Sequence, residues 1–366
     1  MKICYISTKS IHTRRWVEYF AEKGHKVHLI TPEYDDIKGV KIHEVNPEVS
    51  KLSPLFKATI IRKLVKKIKP DVIHAHQVVP FGLYGALSGF HPFVVSAWGS
   101  DIAIFPEKSN IHKILVKYAL KMADLVHTGD EPGKERLIEL GCDENKILIQ
   151  PMGIDTNRFF PRARSEDLRR KLGIEDKYSV LCARWFKPQY NIDIFIKAMP
   201  YVLKEIHNVI FIICGAGHLE LELKKLVEEL EINKNVVFTG LIHNEEMPKY
   251  LASIDVYVDT AIHFTSKGGG GIGVTTMEAM ACETPQILAK SVSVNESSNW
   301  FHGLTYEPLN PKDLAKTIVY LFKNAELGIE IGKKSRETAL EIGDWKKNLK
   351  IQENFYEKLT GGDTKA

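Results

Sequence analysis

Short apolar runs alternate with amphipathic stretches along the first part of the chain: KICYIS, then TRRWVEYFAEK closed by Gly24, then HKVHLIT, and later DVIHAH, FVVSAW, DLVHTG and KILIQP. Brief β-prone runs separated by helix-length segments predict parallel strands joined by crossover helices. The pattern breaks at PMGIDTNRFFPRAR, residues 151–164, which is rich in Gly, Pro and polar residues, and the hinge is expected there. The alternation then restarts with SVLCAR, VIFIICG, NVVFTG, DVYVDT and PQILAK. The expected fold class is therefore α/β, with two Rossmann-like domains, residues 1–160 and 161–344, facing each other across a cleft. The stretch WKKNLKIQENFYEKL, from Trp345 to Leu359, carries apolar residues at helical spacing and predicts a terminal helix that returns to brace the first domain. The tail GGDTKA is expected to be disordered.

Length fits this division, since 366 residues exceed one ordinary domain of about 150. An apolar fraction of 44% and a charged fraction of 26% exclude a disordered or fibrous chain. The start MKICYIST is too poor in apolar residues before His12, Arg14 and Arg15 for a signal peptide, and no long apolar run predicts a spanning helix. A cytoplasmic location is expected. Cys4, Cys142, Cys182, Cys214 and Cys282 stand singly, without metal or dithiol spacing, so neither a metal site nor a disulfide is expected. A net charge of +4 is too small to mark a nucleic-acid binder, and no nucleic-acid partner is expected.

In parallel sheets, ligands bind beyond the carboxyl ends of strands, where helix N-termini attract phosphate. The richest such segment is KGGGGIGVTTMEAMACETP, residues 267–285, a glycine run opening an Ala- and Met-rich helix. Its amides can converge on an anion. The same residues also fit a capping box, with Thr275 as the cap and Glu278 three residues on, although a capping box needs no preceding glycines. Arg184 ends the run SVLCAR and is followed by Trp185, Phe186 and Lys187; a guanidinium there suits a diphosphate in fork geometry, or else a surface ion pair. His12, His74, His76 and Asp101 follow strands in the first domain, where they could orient an acceptor hydroxyl or move a proton, or serve structure alone. KATIIRKLVKKIK, residues 57–69, predicts an amphipathic helix that packs on its own domain or lays a basic face on an anionic membrane.

GIGVTTMEAMACETP resembles the glycine-rich loop and helix of glycosyltransferase family 4. The resemblance extends over DVIHAH, WGSD, GCDENKILIQPMGIDTNRFFP, Arg184, the GAG of residues 215–217 and VVFTGLIHNEEMPKYL. It implies a GT-B fold with an N-terminal acceptor domain and a C-terminal nucleotide-sugar domain. It implies that Glu278 holds the donor ribose, and that Gly271, Ile272, Gly273 and Val274 present amides to the donor phosphates and sugar. Thr275, Gly215, Gly217 and Leu241 would complete the donor site, with Arg184, Lys187 and Asp101 as catalytic residues. Three positions depart from the family: its first glutamate falls at Gly270, its lysine after the arginine falls at Tyr190 with Lys187 nearby, and Trp98 stands where relatives often carry histidine.

The reaction implied is retaining transfer of a sugar from a nucleoside diphosphate sugar to an acceptor hydroxyl, in glycan, glycolipid or glycoconjugate synthesis. A UDP-sugar is the expected donor because uridine is frequent in the family. The donor is a substrate, and neither a cofactor nor a metal is expected, since Arg184 and an amide-lined helix start would neutralise the leaving diphosphate. The acceptor could be lipid-linked, with peripheral contact at the inner membrane face. A nucleotide-sugar epimerase of the same architecture, or a silent nucleotide-sugar-binding protein, are the alternatives.

Overall fold

The computed structural model describes residues 1–33, 35–45, 54–262, 273–291, 294 and 301–361. They form two compact units. Unit 1 holds Met1–Met152 and the described chain from Lys346 onward, and unit 2 the described residues between Gly153 and Trp345. The passage from one unit to the other thus lies at Met152–Gly153, eight residues before the boundary expected at 160. Ile154 and Phe159 explain the difference, because both are fully buried in the core of unit 2.

Unit 1 contains strands β1 (Lys2–Ile6), β2 (Lys26–Thr31), β3 (Val40–Glu44), β4 (Val72–His76), β5 (Phe93–Ser96), β6 (Leu125–Thr128) and β7 (Ile147–Ile149). All pair in parallel, in the order β3-β2-β1-β4-β5-β6-β7. Unit 2 repeats the plan with β8 (Tyr178–Ala183), β9 (Val209–Cys214), β10 (Val236–Gly240), β11 (Val256–Asp259), β12 (Gln286–Ala289) and β13 (Leu304–Tyr306), in the order β10-β9-β8-β11-β12-β13. Parallel strands need crossover helices, which cover both sheet faces, so β1, β8 and β9 are mainly apolar and buried, and β4 is buried throughout with His74 and His76 among its apolar residues. The apolar runs of the sequence correspond to eleven of these strands. The two it did not single out, β3 and β13, are edge strands at one end of each sheet, where one-sided pairing needs a weaker apolar pattern.

The helices of unit 1 are α1 (Ile11–Glu22), α2 (Pro54–Ile68), α3 (Leu83–Ser88), α4 (Ser100–Ala103), α5 (Asn110–Met122) and α6 (Glu131–Glu139). Unit 2 has α7 (Glu166–Leu172), α8 (Ile192–Leu203), α9 (Glu220–Glu229), α10 (Met247–Ser253), α11 (Val274–Ala281), α12 (Pro311–Lys323) and α13 (Ala325–Ile342). In α2 the apolar face expected from the sequence is turned inward, with Ile61, Val65 and Ile68 buried in the unit 1 core. The last helix, α14 (Trp345–Leu359), lies on unit 1. Tyr356, fully buried, bonds to His74 Nδ1 and lies 3.3 Å from the Tyr5 hydroxyl, while Glu353 accepts from His25 Nε2 at 2.7 Å.

Candidate functional site

In unit 2 the strand order reverses at β8, which has β9 on one side and β11 on the other. The splayed connections at such a switch point open a crevice beyond the strand ends, where ligands of this fold bind. Arg184 leaves β8 there and Asp259 ends β11. Arg184 Nε donates to Asp259 Oδ1 at 2.9 Å and an Nη donates to Oδ2, a two-pronged ion pair that fixes the plane of the guanidinium. Asp259 is fully buried and also accepts from the Ala261 amide at 3.0 Å and the Thr276 hydroxyl at 3.2 Å. Burial opposes the arginine's charge, but the Asp259 carboxylate beside it prevails and the guanidinium pKa is raised. The Tyr190 ring lies 5.7 Å from the Arg184 guanidinium, so this neighbour supplies a π face where a lysine would supply charge. Lys187 is exposed, its ammonium 5.9 Å from the Trp185 ring.

Gly215 and Gly217 follow β9 with φ of +149° and +157°. A Cβ at Gly215 would stand 1.9 Å from the Arg184 carbonyl, and one at Gly217 would stand 2.4 Å from that of Phe186. The loop therefore presses directly on the Arg184 turn, which explains glycine at both places. Leu241, just past β10, is exposed.

Gly273 caps α11 and its Cα side faces the Arg184 guanidinium, which a Cβ would meet at 2.2 Å. The sequence offered Thr275 as a cap with Glu278 completing a capping box, and the structure overturns that reading. With Gly273 at the cap, Thr275 is the second helical residue, and the third, where a capping box needs its acid, is Thr276. Glu278 lies further along, buried in the second turn. Val274 and Thr275 are half-buried at the first turn. Gly270, Gly271 and Ile272 lie outside the described residues, as do Ser266 and Lys267. Asp259 is the candidate-site residue that the sequence analysis did not single out; its one signal was a carboxylate ending the otherwise apolar run VYVD.

The corresponding switch point of unit 1 lies between β1 and β4. His74 and His76 of β4 and His127 of β6 are buried. Ser96 links two of them, accepting or donating at 2.7 Å to His74 Nε2 and at 2.9 Å to His127 Nδ1, and His127 Nε2 donates to the Gln150 carbonyl at 2.7 Å. His76 Nδ1 is 3.1 Å from Ser7 Oγ, while its buried Nε2 has no hydrogen-bond partner among the described residues. Trp98 is half-buried, its indole 5.3 Å from the His76 ring and 5.7 Å from that of His12. Burial holds all four histidines below the ordinary range: His74 well below it, His76 at about 3, and His12 and His127 at about 4.

Asp101, expected to be catalytic, is buried, and both its oxygens are committed to backbone amides, Val78 N at 2.6 Å and Trp98 N at 3.0 Å. Burial pushes its pKa up to about 6 against the opposing pull of those amides. This geometry makes it a brace that positions the loops carrying Trp98 and Val78. A separate apolar cavity of about 110 Å³ lies at the carboxyl ends of β1 to β3, lined by Ile6, Ile30, Pro32, Ile61, Phe81 and Tyr84, with Lys57 at its wall.

The five cysteines are free and buried. Among the described residues no group of three or more His, Cys, Asp or Glu has the arrangement of a metal site, and no helix is long and apolar enough to cross a membrane.

Two family models match the chain: "Glycosyl transferase 4-like" over residues 2–129 and "Glycosyl transferases group 1" over residues 164–338. A curated relative from Corynebacterium glutamicum, named a GDP-mannose-dependent monoacylated alpha-(1-6)-phosphatidylinositol monomannoside mannosyltransferase, is 32% identical over 47% of this chain and 45% of its own. A mannosyltransferase of Mycolicibacterium smegmatis is 27% identical over 66% of this chain and 64% of its own. The alpha-monoglucosyldiacylglycerol synthase of Streptococcus pneumoniae is 30% identical over 57% and 46%. The chain thus spans about half to two thirds of the length of the curated relatives it matches. Among solved structures, Anabaena HepE in complex with UDP and glucose aligns at a TM-score of 0.78 with 20% identity, over 97% of this chain and 99% of that one. Sucrose-phosphate synthase of Thermosynechococcus elongatus aligns at 0.79 with 17% identity, over 99% and 100%. With two parallel α/β units, each matched by its own module, the chain belongs to the GT-B glycosyltransferases of the family 4 type.

Proposed function

We propose that the chain transfers a hexose from a nucleoside diphosphate sugar to a hydroxyl of a lipid-bearing acceptor, with retention at the anomeric carbon. The observation that carries this reading is the Arg184 guanidinium, fixed by Asp259 against Gly273 at the start of α11, with Glu278 buried in the next turn. A diphosphate gains charge as it leaves the sugar. A cation already held in place beside helix-start amides stabilises that charge without reorganising. Asp259 orients Arg184, Gly273 and Val274 offer amides to the phosphates, and Glu278 takes the ribose hydroxyls. Gly215 and Gly217 let the loop after β9 approach the same crevice, and Lys187 and Leu241 stand at its rim. No metal takes part in this step, so turnover persists in excess EDTA; activity lost to the chelator and restored by magnesium or manganese would overturn the leaving-group chemistry.

For the donor we place GDP-mannose ahead of a UDP-sugar, because the mannosyltransferase relatives at 27% and 32% identity carry GDP-mannose in their names, whereas likeness to UDP-bound structures at about 20% identity bears on the fold alone. The names of relatives also support the acceptor class, since phosphatidylinositol mannosides and diacylglycerol both join a hydroxyl to hydrocarbon chains. The apolar cavity between β1–β3 and α2 suits the end of such a chain, because a dry apolar cavity gains by filling with hydrocarbon. The reaction then takes place in the cytoplasm at the inner membrane face. Isothermal titration with GDP, UDP and ADP, followed by single-turnover assays of their hexose conjugates with a lipid acceptor, tests the proposal. Tight binding of one nucleotide with sugar transfer supports it; binding without transfer or hydrolysis of any donor would mark a silent nucleotide-sugar binder.

A further inference from the structure

The sequence directs attention to α2 as a membrane-facing helix, yet the structure buries the apolar face of α2 and leaves that of another helix open. In α5, Val116, Ala119 and Leu120 pack into the unit 1 core. A second set of apolar residues, Ile111, Ile114 and Tyr118, points outward, with relative exposures of 69%, 64% and 38%. Positions i, i+3 and i+7 fall on one face of a helix, so the three form a single stripe. Lys113, Lys117 and Lys121, exposed and spaced by four residues, form the adjoining column, and none takes part in an ion pair among the described residues. The helix contains no acidic residue, and the nearest preceding one, Glu107, is paired with Arg136.

A helix buried on one side, apolar and cationic on the other, would lose nothing by being wholly polar if its outer face met only water. Large apolar side chains aligned on an exposed face mark an interaction surface. The lysines decide between occupants. In a symmetric dimer built on this face, the same patch of each copy meets the other, so the lysine columns would be brought into mutual repulsion. An anionic lipid surface satisfies both halves of the face, taking Ile111, Ile114 and Tyr118 among the upper acyl carbons while the lysines meet headgroup phosphates.

We propose that the outer face of α5 is a docking surface for anionic phospholipid, which brings unit 1 onto the membrane. The proposal is independent of sugar transfer, and its test contains no donor. The full chain is sedimented with vesicles of phosphatidylcholine alone and of phosphatidylcholine mixed with phosphatidylglycerol, at low and high salt. Binding to the anionic vesicles alone, weakened by salt, is expected. The exposed-site variant Ile111→Ser/Ile114→Ser is expected to lower partitioning at least tenfold, and Lys113→Gln/Lys117→Gln/Lys121→Gln by about a hundredfold, since each lysine near a charged surface contributes about fivefold. Melting curves confirm that both variants remain folded, and nucleotide titration should match that of the unmodified chain. Equal binding to both vesicle types, no sedimentation with either, or variants that bind as the parent does would each overturn the proposal. A dimer in light scattering that dissociates in the isoleucine variant would overturn it as well, by assigning the stripe to a second copy.

Discussion

At the switch point of unit 1 three histidines, His74, His76 and His127, are buried and form no ion pair with a carboxylate among the described residues, and at the switch point of unit 2 a guanidinium and a carboxylate are buried together. Both sheets place polar side chains beyond the ends of parallel strands, and both must avoid leaving an isolated charge in a low-dielectric interior. Unit 1 does so by losing the proton: burial drives the imidazoles neutral, Ser96, Tyr356 and the Gln150 carbonyl satisfy His74 and His127, and Ser7 meets His76 at Nδ1. Unit 2 does so by pairing, which retains a cation and fixes its plane. A neutral, aromatic-walled site suits an uncharged sugar or alcohol, whereas a fixed cation at a helix start suits a diphosphate. The same architecture thus handles buried charge in two ways, and the two sites differ in the ligand chemistry they suit.

The sharpest way to break this comparison is to remove one member of the unit 2 pair. Arg184→Met leaves the fully buried Asp259 carboxylate uncompensated and should cost about 3–5 kcal/mol in urea unfolding, whereas Arg184→Met/Asp259→Leu should recover most of that loss and still fail to bind nucleotide. A single variant as stable as the parent would show that the pair is not a buried element of the fold.

Acid should act on unit 1 instead. The folded pKa values of the three histidines lie below the ordinary 6.5, so as the pH falls through 6.5 the unfolded chain takes up protons first, and stability declines until the folded values are reached, near 3 to 4 for His76 and His127. Each group contributes at most about 1.4 kcal/mol per pH unit. Asp101 works in the opposite sense, because its folded pKa of about 6 exceeds 3.8 and the folded state gains its proton first. His12, held near 4 by the same burial, adds to them, and four groups against one leave a loss of up to about 4 kcal/mol per pH unit between pH 6 and 5. Urea midpoints at pH 7, 6 and 5 check this, and a flat profile would show that the imidazoles are not held neutral by the fold.

A smaller effect is expected from Gly215→Ala, which forces a side chain against the Arg184 carbonyl at a φ of +149°. It should cost roughly 1–3 kcal/mol and weaken nucleotide binding, while the acid response of unit 1 stays as it was. The smallest concerns α11. With Gly273 as the cap, Thr275→Ala should change stability by no more than about 0.5 kcal/mol, and Glu278→Gln should weaken nucleotide binding with little change in melting temperature. A loss near 1 kcal/mol at Thr275 would return the helix start to the capping-box register.

Periodicity and turn residues carried most of the fold into view. Eleven strands, the crossover helices and the terminal helix were legible because a strand buried on both faces must be continuously apolar, a requirement written locally along the chain. Family likeness in the glycine-rich helix and the strand-end arginine pointed to a candidate donor site for the same reason, since each motif is a short contiguous stretch. The weakly patterned edges β3 and β13 were not legible, and the passage between units was displaced because Ile154 and Phe159 read as linker residues until their burial is known.

What tertiary structure alone decided are the partnerships between distant residues. Arg184 and Asp259 are 75 residues apart, and only the adjacency of β8 and β11 makes them a pair. His74 and Tyr356 are 282 apart and meet because α14 returns to unit 1. The same holds for membrane-facing surfaces: the sequence singled out only α2, α5 also pairs apolar residues with lysines, and which of them hides its apolar stripe depends on what packs against it. Local sequence fixes which side chains share a face of a helix or strand; whether that face meets core, ligand or lipid is set by the rest of the chain.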